Sequence, residues 1–340
     1  MPVTIKDVAR EAGVSISTVS KVINGAPSIS QATVERVNNI MKSLNYFPNQ
    51  NASNFARQST RNVVFLTRLE RDVAFSNPHM FEIMCGAQKA LSDKNYNLSL
   101  MSISSDQEER ELIKKIIAQK SADGVILHGS VINRELPSLL VNTNFPHIII
   151  GRPDFESQLC WIDTNNYLSG EIAANHLLDC GYSKIAFIGG HEHDMISTHR
   201  LQGFQSAMEQ KNIEVSGSYI SFGDSTKDSG YTQMNALLDC GIRPEAVICE
   251  NNGIALGVVK SLGMHGLSIP DHMAVITFDE YPFSHIIEPM PTVVNINVFD
   301  MGMQAGSTLI RKIKNPSLQV QSYTTLPELI VRGTTRRQKI

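Results

Sequence analysis

The sequence predicts a small all-α headpiece joined to a large α/β body made of two lobes with parallel sheets. Three observations carry the prediction. Two short apolar-faced segments meet at a Gly turn and a third follows; a Pro-bounded polar stretch comes next; strands then alternate with amphipathic helices from about residue 61 onward. At 340 residues the chain exceeds one compact domain, and its 42% apolar content can fill more than one core. We expect a headpiece over 1–47, a hinge over 48–60 and a body over 61–340.

Thr4-Ile5-Lys6-Asp7 has the spacing of a capping box, with the Thr4 hydroxyl placed to accept an orphan N–H while Asp7 reaches back. Ile5, Val8, Ala9 and Ala12 then recur on one helical face, and Gly13 ends the helix as a residue free to take positive φ. Val14 plugs the turn. Ser15 caps a second helix through Ile23; Val19, Val22 and Ile23 face inward, so Ile16, Ser17, Ser20 and Lys21 face out. Ser30 starts a third helix whose Val34, Val37, Ile40, Met41 and Leu44 close a small core.

A three-helix bundle of any function can carry that periodicity. The exposed face separates the alternatives. Ser17, Thr18, Ser20, Lys21 and Asn24 are short donors plus one cation, suited to base edges and phosphates. An ordinary solvated face alternates Glu with Lys. Helix, tight turn, helix with small polar side chains near its start is helix-turn-helix architecture. Beyond it, Pro48 ends the third helix, and the polar run from Asn49 to Arg57 would not fold by itself.

In the body, strands are expected at Asn62–Leu66, Asn97–Met101, Gly124–His128 and His147–Ile150, with helices from about Met80 to Lys94 and Glu108 to Gln119. The cycle restarts with helices over Gly170–Cys180, Arg200–Lys211 and Gly253–Met264, and strands over Ile185–Ile188, Ala246–Cys249 and Ala274–Phe278. Such alternation builds parallel sheets, and two blocks of it suggest two open sheets facing across a cleft. Ligands of open parallel sheets bind beyond the carboxyl ends of the strands. His128, Arg152, Asn251, Asn252 and Asp279 sit at or just past such ends, and Arg200 opens a helix after one. Asn, Asp and Arg together suit a neutral polyhydroxyl molecule, with an aromatic face to cover the apolar side of a sugar ring.

The net charge of −3 hides an asymmetry: residues 1–60 hold six cations against three anions, so the remainder carries −6. A basic head on an acidic body engages phosphates at the head alone. With so few cations, two heads acting together are expected. Five cysteines without CxxC spacing read as reduced thiols in packed positions. No apolar run is long enough to span a bilayer, and Lys6, Asp7, Arg10 and Glu11 interrupt any signal-like stretch, so no membrane partner and a cytoplasmic address are expected. His191-Glu192-His193-Asp194 has ligand-type residues, but no third ligand set by spacing; a solvated loop at the cleft mouth is expected, with no metal and no cofactor. No GxSxG, P-loop or GxGxxG follows a predicted strand, which argues against an enzyme.

The run from Thr4 to Ala9, then Gly13-Val14-Ser15, Thr18 to Asn24 and Leu44 to Asn49 closely resembles the headpiece of the lactose/galactose repressor family. The likeness resumes at Asp163-Thr164-Asn165-Asn166, Arg200 to Phe204, Ala255-Leu256-Gly257 and Leu326 to Arg332, and so spans essentially the whole chain. It implies a sequence-specific DNA-binding repressor of carbohydrate-utilisation genes, controlled by a small sugar-like effector. It also implies a body similar to the periplasmic sugar-binding-protein fold, with crossings between lobes near Asp163, Pro289 and Tyr323. Lobe 1 would then be about 61–162 plus 290–322, and lobe 2 about 163–289 plus 323–340.

Matched by position, the DNA contacts are Thr4, Ser15, Ile16, Ser17, Thr18, Ser20, Lys21, Asn24 and Tyr46 in the headpiece, and Asn49, Ala52 and Phe55 in the hinge. Phe55 takes the place of the apolar wedge that unstacks the central base step, where the family usually has Leu. The effector would be clasped by residues matching His79, Met80, Arg152, Arg200, Asn251 and Asp279, with His128 close by. The family's usual Asn-Asp is Asn251-Asn252 here, and its aromatic at His79 or Met80 is missing; Phe81, Trp161, Phe204 or Phe222 would supply the stacking face.

A homodimer is expected, paired through the helices beginning near Met80 and Glu108 and the segment around Met290, on a near-palindromic double-stranded operator. Alternatives retained are a corepressor- or catabolite-control-type regulator answering to a purine or a phosphorylated carrier protein, and a solute-binding protein without DNA function.

Overall fold

The structure, a computed structural model, describes residues 3–23, 25–47, 59–69, 78–280, 288–320 and 322–336. Asn24, Asn49, Ala52 and Phe55 lie outside the described residues, as does the rest of 48–58. The chain divides into two compact units, residues 1–62 with 119–123 and residues 63–118 with 124–340.

In the first unit, helices α1 (Ile5–Ala12), α2 (Ile16–Ile23) and α3 (Gln31–Ser43) surround one small core. Val8, Ala9, Ala12, Val19, Val22 and Val37 are buried there, and Val34, Ile40, Met41, Leu44 and Tyr46 pack against them. Gly13 takes φ +62, letting the Val14 N–H turn back to the Ala9 carbonyl at 3.1 Å. The expected capping box of Thr4 and Asp7 is present, and Asp7 Oδ2 accepts both the Thr4 N–H (3.0 Å) and the Thr4 hydroxyl (2.7 Å). These two bonds, the hydroxyl first, hold the Asp7 carboxyl below its ordinary range.

The second unit holds two six-stranded sheets. Lobe 1 runs β11-β5-β4-β3-β1-β2, with β1 (Asn62–Thr67), β2 (Asn97–Ser102), β3 (Gly124–His128), β4 (His147–Ile150), β5 (Trp161–Thr164) and β11 (Ser322–Thr325). Lobe 2 runs β12-β10-β9-β8-β6-β7, with β6 (Ile185–Gly189), β7 (Ile220–Phe222), β8 (Ala246–Cys249), β9 (Ala274–Phe278), β10 (Thr292–Asn295) and β12 (Glu328–Ile330). Lobe 2 is parallel but for the antiparallel β10–β12 edge. Central strands are buried on both faces, which is why they read as unbroken Val/Ile/Phe runs.

The lobe boundaries need correction. Val293 pairs with Thr277 of β9, so the segment from 290 stays in lobe 2 through β10. The chain leaves only after Asn295, where Asn297 (φ +48) caps the next helix. Tyr323 pairs with Ile162, so β11 belongs to lobe 1 and the last crossing follows Thr325.

Three helix pairs cover the sheets at contact distances only glycine permits. Helices α4 (Pro78–Ser92) and α11 (Val298–Lys314), α7 (Asn166–Asp179) and α8 (Met195–Gln210), and α9 (Lys227–Asp239) and α10 (Asn252–Met264) each oppose a glycine on both partners. In the second pair, a Cβ at Gly170 would lie 1.9 Å from the Arg200 carbonyl oxygen, and one at Gly203 1.9 Å from that of Tyr167. α5 (Asp106–Gln119) and the short α6 (Leu136–Leu140) complete the helices among the described residues. β5, β7, α6, α9, β10, α11, β11 and β12 were not anticipated. α8 also starts five residues before Arg200, because Asp194 caps it by accepting the Ser197 N–H.

Candidate functional site

In the headpiece, the start of α2 is the exposed polar edge. Ser15 Oγ accepts the Thr18 N–H at 3.1 Å and lies 2.7 Å from Ser17 Oγ and 2.9 Å from Thr18 Oγ1. Ser15, Ser17 and Lys21 are exposed, as is Ile16 at 44%, while Thr18 and Ser20 are half-buried. An exposed Ile among small hydroxyls has no partner in the headpiece core and suits a thymine methyl. Thr4 is exposed, with its side chain on Asp7; Tyr46 is half-buried against the core.

In the body, the carboxyl ends of the strands bring together His79, Asp279, Arg200 and Asn166. His79 Nε2–H, on the first turn of α4, donates to Asp279 Oδ2, past the end of β9: a side-chain bond running from lobe 1 to lobe 2. Asp279 is 2% exposed and holds φ +71, a backbone region that L-residues occupy when their surroundings impose it. Its Oδ1 is buried without a hydrogen-bond partner. Burial alone would push the Asp279 carboxyl up; the His79 charge and hydrogen bond, Arg200 and the Ile296 N–H outweigh it and hold it below the usual carboxylate range.

Arg200 is 3% exposed. Its Nε–H donates to Asn166 Oδ1 at 3.0 Å and Nη1–H to the Glu250 carbonyl at 2.6 Å, while the guanidinium lies 4.0 Å from the centroid of the Phe278 ring. Two carboxyls flank it. Asp163 accepts N–H groups of Arg152 (3.0 Å) and Thr164 (2.7 Å), and Glu250 accepts the Gly190 N–H (2.6 Å) and the Ser197 hydroxyl. Burial nevertheless pushes both carboxyls above their ordinary values. At the end of β3, burial and then the His79 charge push His128 down to about 4. The Ser130 N–H points at its Nδ1 (3.3 Å), so the neutral ring carries its proton on Nε2 as a donor.

Several expected lining residues are placed otherwise. Met80 is 3% exposed and packs in the lobe 1 core, where its sulfur accepts the Thr67 hydroxyl, because the helical turn that aims His79 outward aims Met80 inward. Phe204 is fully buried in lobe 2, stacked at 6.1 Å on Phe187. Phe222 meets Phe187 edge-on and leans on Gly189 as part of that core wall. Asn251 caps α10 by accepting the Ile254 N–H at 2.9 Å, and Asn252 Nδ2 donates to the Phe278 and Asp279 carbonyls. The Asn251 side-chain oxygen and the Asn252 side-chain N–H groups therefore hold backbone. Trp161 stays half-buried under the Arg152 guanidinium, which lies 5.7 Å from its ring centroid.

Asn166, Glu250 and Phe278 join the cluster without having been singled out in the sequence; Glu250 follows β8 and Phe278 ends the adjacent β9, a signal the strand-end rule could have supplied. His191, Glu192 and His193 are exposed, and Asp194 serves as the α8 cap. A separate cavity of about 540 Å³ in lobe 1 touches His147 and Lys312 at the amino end of β4, the end opposite to where open sheets hold ligands. Among the described residues, no helix is long and apolar enough to cross a membrane.

Two family models match the chain: bacterial regulatory proteins, lacI family, over residues 4–49, and a periplasmic binding protein-like domain over residues 174–335. The HTH-type transcriptional repressor PurR of Actinobacillus pleuropneumoniae serotype 5b (strain L20) is 31% identical over 338 residues, covering 98% of each chain. The ribose operon repressor of Escherichia coli (strain K12) is 30% identical over 332 residues, covering 97% of this chain and 99% of that one. The solved complex of the transcriptional regulator CelR with cellobiose matches with a TM-score of 0.73 at 29% identity, over 98% of this chain and 99% of that one.

Proposed function

We propose that this chain, which belongs to the lacI family of bacterial regulatory proteins, is a transcriptional repressor whose hold on its operator is loosened by a small sugar bound between the lobes of its body. Two copies pair, and their headpieces grip a near-palindromic duplex with α2 in the major groove. Ser17, Ser20 and Lys21 reach base edges and phosphates. The protein acts in the cytoplasm by binding and release, without turnover of the effector.

One observation carries the effector assignment: a buried carboxylate oxygen, Asp279 Oδ1, without a donor, beside Arg200, Asn166 and His79 at the strand ends. A hydroxyl supplies the missing donor, and its own oxygen accepts from Arg200 or from His128 Nε2–H. Trp161 offers a face to the apolar side of a pyranose or furanose ring. The names of two relatives, a ribose operon repressor and a regulator held with cellobiose, support the same chemical class.

Control follows from linkage. His79 and Asp279 join the lobes directly, so a ligand that inserts hydroxyls between them changes how the lobes close. A coupling of ~1–3 kcal/mol would alter operator affinity ~5–150-fold. Thermal denaturation of the full chain with ribose, cellobiose, sugar phosphates and purines, followed by operator titration with each hit, tests the assignment. A sugar should raise the melting temperature and weaken operator binding; stabilisation by a purine alone, or tighter operator binding with a sugar, overturns it.

A further inference from the structure

The chain enters the body by bending around one carboxylate. Asp123, the residue before β3, accepts the Thr60 N–H at 2.7 Å and the Thr60 hydroxyl at 2.9 Å on Oδ1. Its Oδ2 accepts the Ser59 hydroxyl and the Arg61 N–H, the latter at 3.1 Å. The Asp123 N–H in turn donates to the Asn62 carbonyl at 2.8 Å. The loop braces itself as well: the Arg61 N–H reaches Ser59 Oγ at 3.3 Å and the Asn62 N–H reaches Thr60 Oγ1 at 3.2 Å. Arg61 takes φ +53, a left-handed turn in a residue that is not glycine.

Lobe 1 does not need this arrangement to hold β1. Val63 to Leu66 are buried and pair with Gly124 to Leu127 in the parallel β1–β3 ladder. Four of the five bonds at Asp123 go to residues 59–61, ahead of β1; the fifth, to the Asn62 carbonyl, opens the β1–β3 pairing. What the four bonds to residues 59–61 hold is the path of those residues up to the first ladder pair. A carboxylate that collects donors from three consecutive residues fixes a direction more tightly than one bond could, since each further bond removes a rotation.

We propose that Asp123 is the positioning residue that passes the state of the body to the DNA-binding headpiece, by fixing where residues 59–61 leave lobe 1. This rests on the repressor function proposed above. When the lobes shift, the loop carrying Asp123 moves with β3 and takes the linker along; with the carboxylate gone, the linker leaves in no set direction and the paired headpieces lose their spacing.

The test uses the full chain, a duplex selected by the wild-type protein from a random-sequence pool, and an unrelated duplex of equal length. Asp123→Ala should bind the selected duplex roughly tenfold more weakly or worse, bind the unrelated duplex as wild type does, and show faster amide exchange at residues 59–62 alone. Asp123→Asn retains Oδ1 and with it both Thr60 bonds, so its loss should be intermediate; Thr60→Val should lose least. Wild-type affinity in Asp123→Ala despite faster exchange at 59–62 overturns the proposal, as does equal loss on both duplexes. A wild-type chain that selects no sequence refutes the repressor function itself, and the exchange pattern then reports on the Asp123 geometry alone.

Discussion

Glu109 gives the sharpest quantitative prediction. It lies in the first turn of α5, has no solvent exposure, accepts Asn133 Nδ2–H on Oε2 at 2.6 Å, and leaves Oε1 buried without a partner. Burial first, then the Asp106 charge, push its carboxyl up to about 7 from 4.5; Arg68 and the Asn133 bond only partly oppose them. The neighbouring Arg110–Glu135 pair, at 2.9 Å, faces outward. Because the folded value is raised, the folded chain binds more protons than the unfolded one between those two pH values, and stability falls as pH rises through that window. Above pH 7 both states are ionised and the deficit is constant. A difference of about 2.5 pH units, at ~1.4 kcal/mol each, sets a ceiling of about 3 kcal/mol. Glu109→Gln keeps the shape and an acceptor for Asn133 without the charge. It should match wild type near pH 4.5 and exceed it by ~1–3 kcal/mol at pH 8, a melting shift of ~2–4 °C per kcal/mol. Thermal or urea denaturation of both proteins from about pH 4.5 to about pH 8 measures this. A stability difference that does not change with pH, or a less stable variant at pH 8, would refute the burial argument.

Lys21→Ala should cost ~1–3 kcal/mol of discrimination between the selected duplex and single-base variants of it, read by competition titration; equal loss on all sequences would mean that Lys21 touches phosphate only. Gly203→Ala should destabilise by ~1–3 kcal/mol and weaken sugar binding, because the new methyl collides with the Tyr167 carbonyl across the contact that places Arg200. Gly263→Ala, exposed near the end of α10 with nothing within 4 Å, should instead stabilise by ~0.4–1 kcal/mol; calorimetry on the two variants separates steric from entropic effects.

The headpiece was legible because its signals are local. A capping box, a Gly at positive φ and apolar residues three and four apart all act within one helical turn, and each stands where it was expected. The buried strands were legible for the same reason: a parallel strand covered on both faces must be an apolar run. What was missed lacks such a signature. α9 and α11 mix polar residues with Gly230, Gly302 and Gly306, and a lone sequence reads those glycines as helix breakers. Only the partner helix shows that they are contact points, as at Gly302, where a Cβ would lie 2.1 Å from the Ile83 carbonyl oxygen. The lobe crossings were misplaced because β10 and β11 are strands of four residues whose sheet is decided by register with distant partners.

Polar residues at strand ends single out Asn251 and Asn252, but the Asn251 oxygen answers to an orphan N–H of α10 and the Asn252 N–H groups to the carbonyls of Phe278, which ends β9, and Asp279, which follows it. The lobe 2 carboxylate nearest the expected Asn-Asp position belongs to Glu250, a residue earlier, and it is held by Gly190 and Ser197. Arg200 in turn has two of its nitrogens committed to Asn166 and the Glu250 carbonyl. Subtracting groups already satisfied leaves Asp279 Oδ1 as a buried acceptor in need of a donor. A hydroxyl of the proposed sugar effector would meet that acceptor as a donor while its own oxygen accepts from Arg200, so one group answers both.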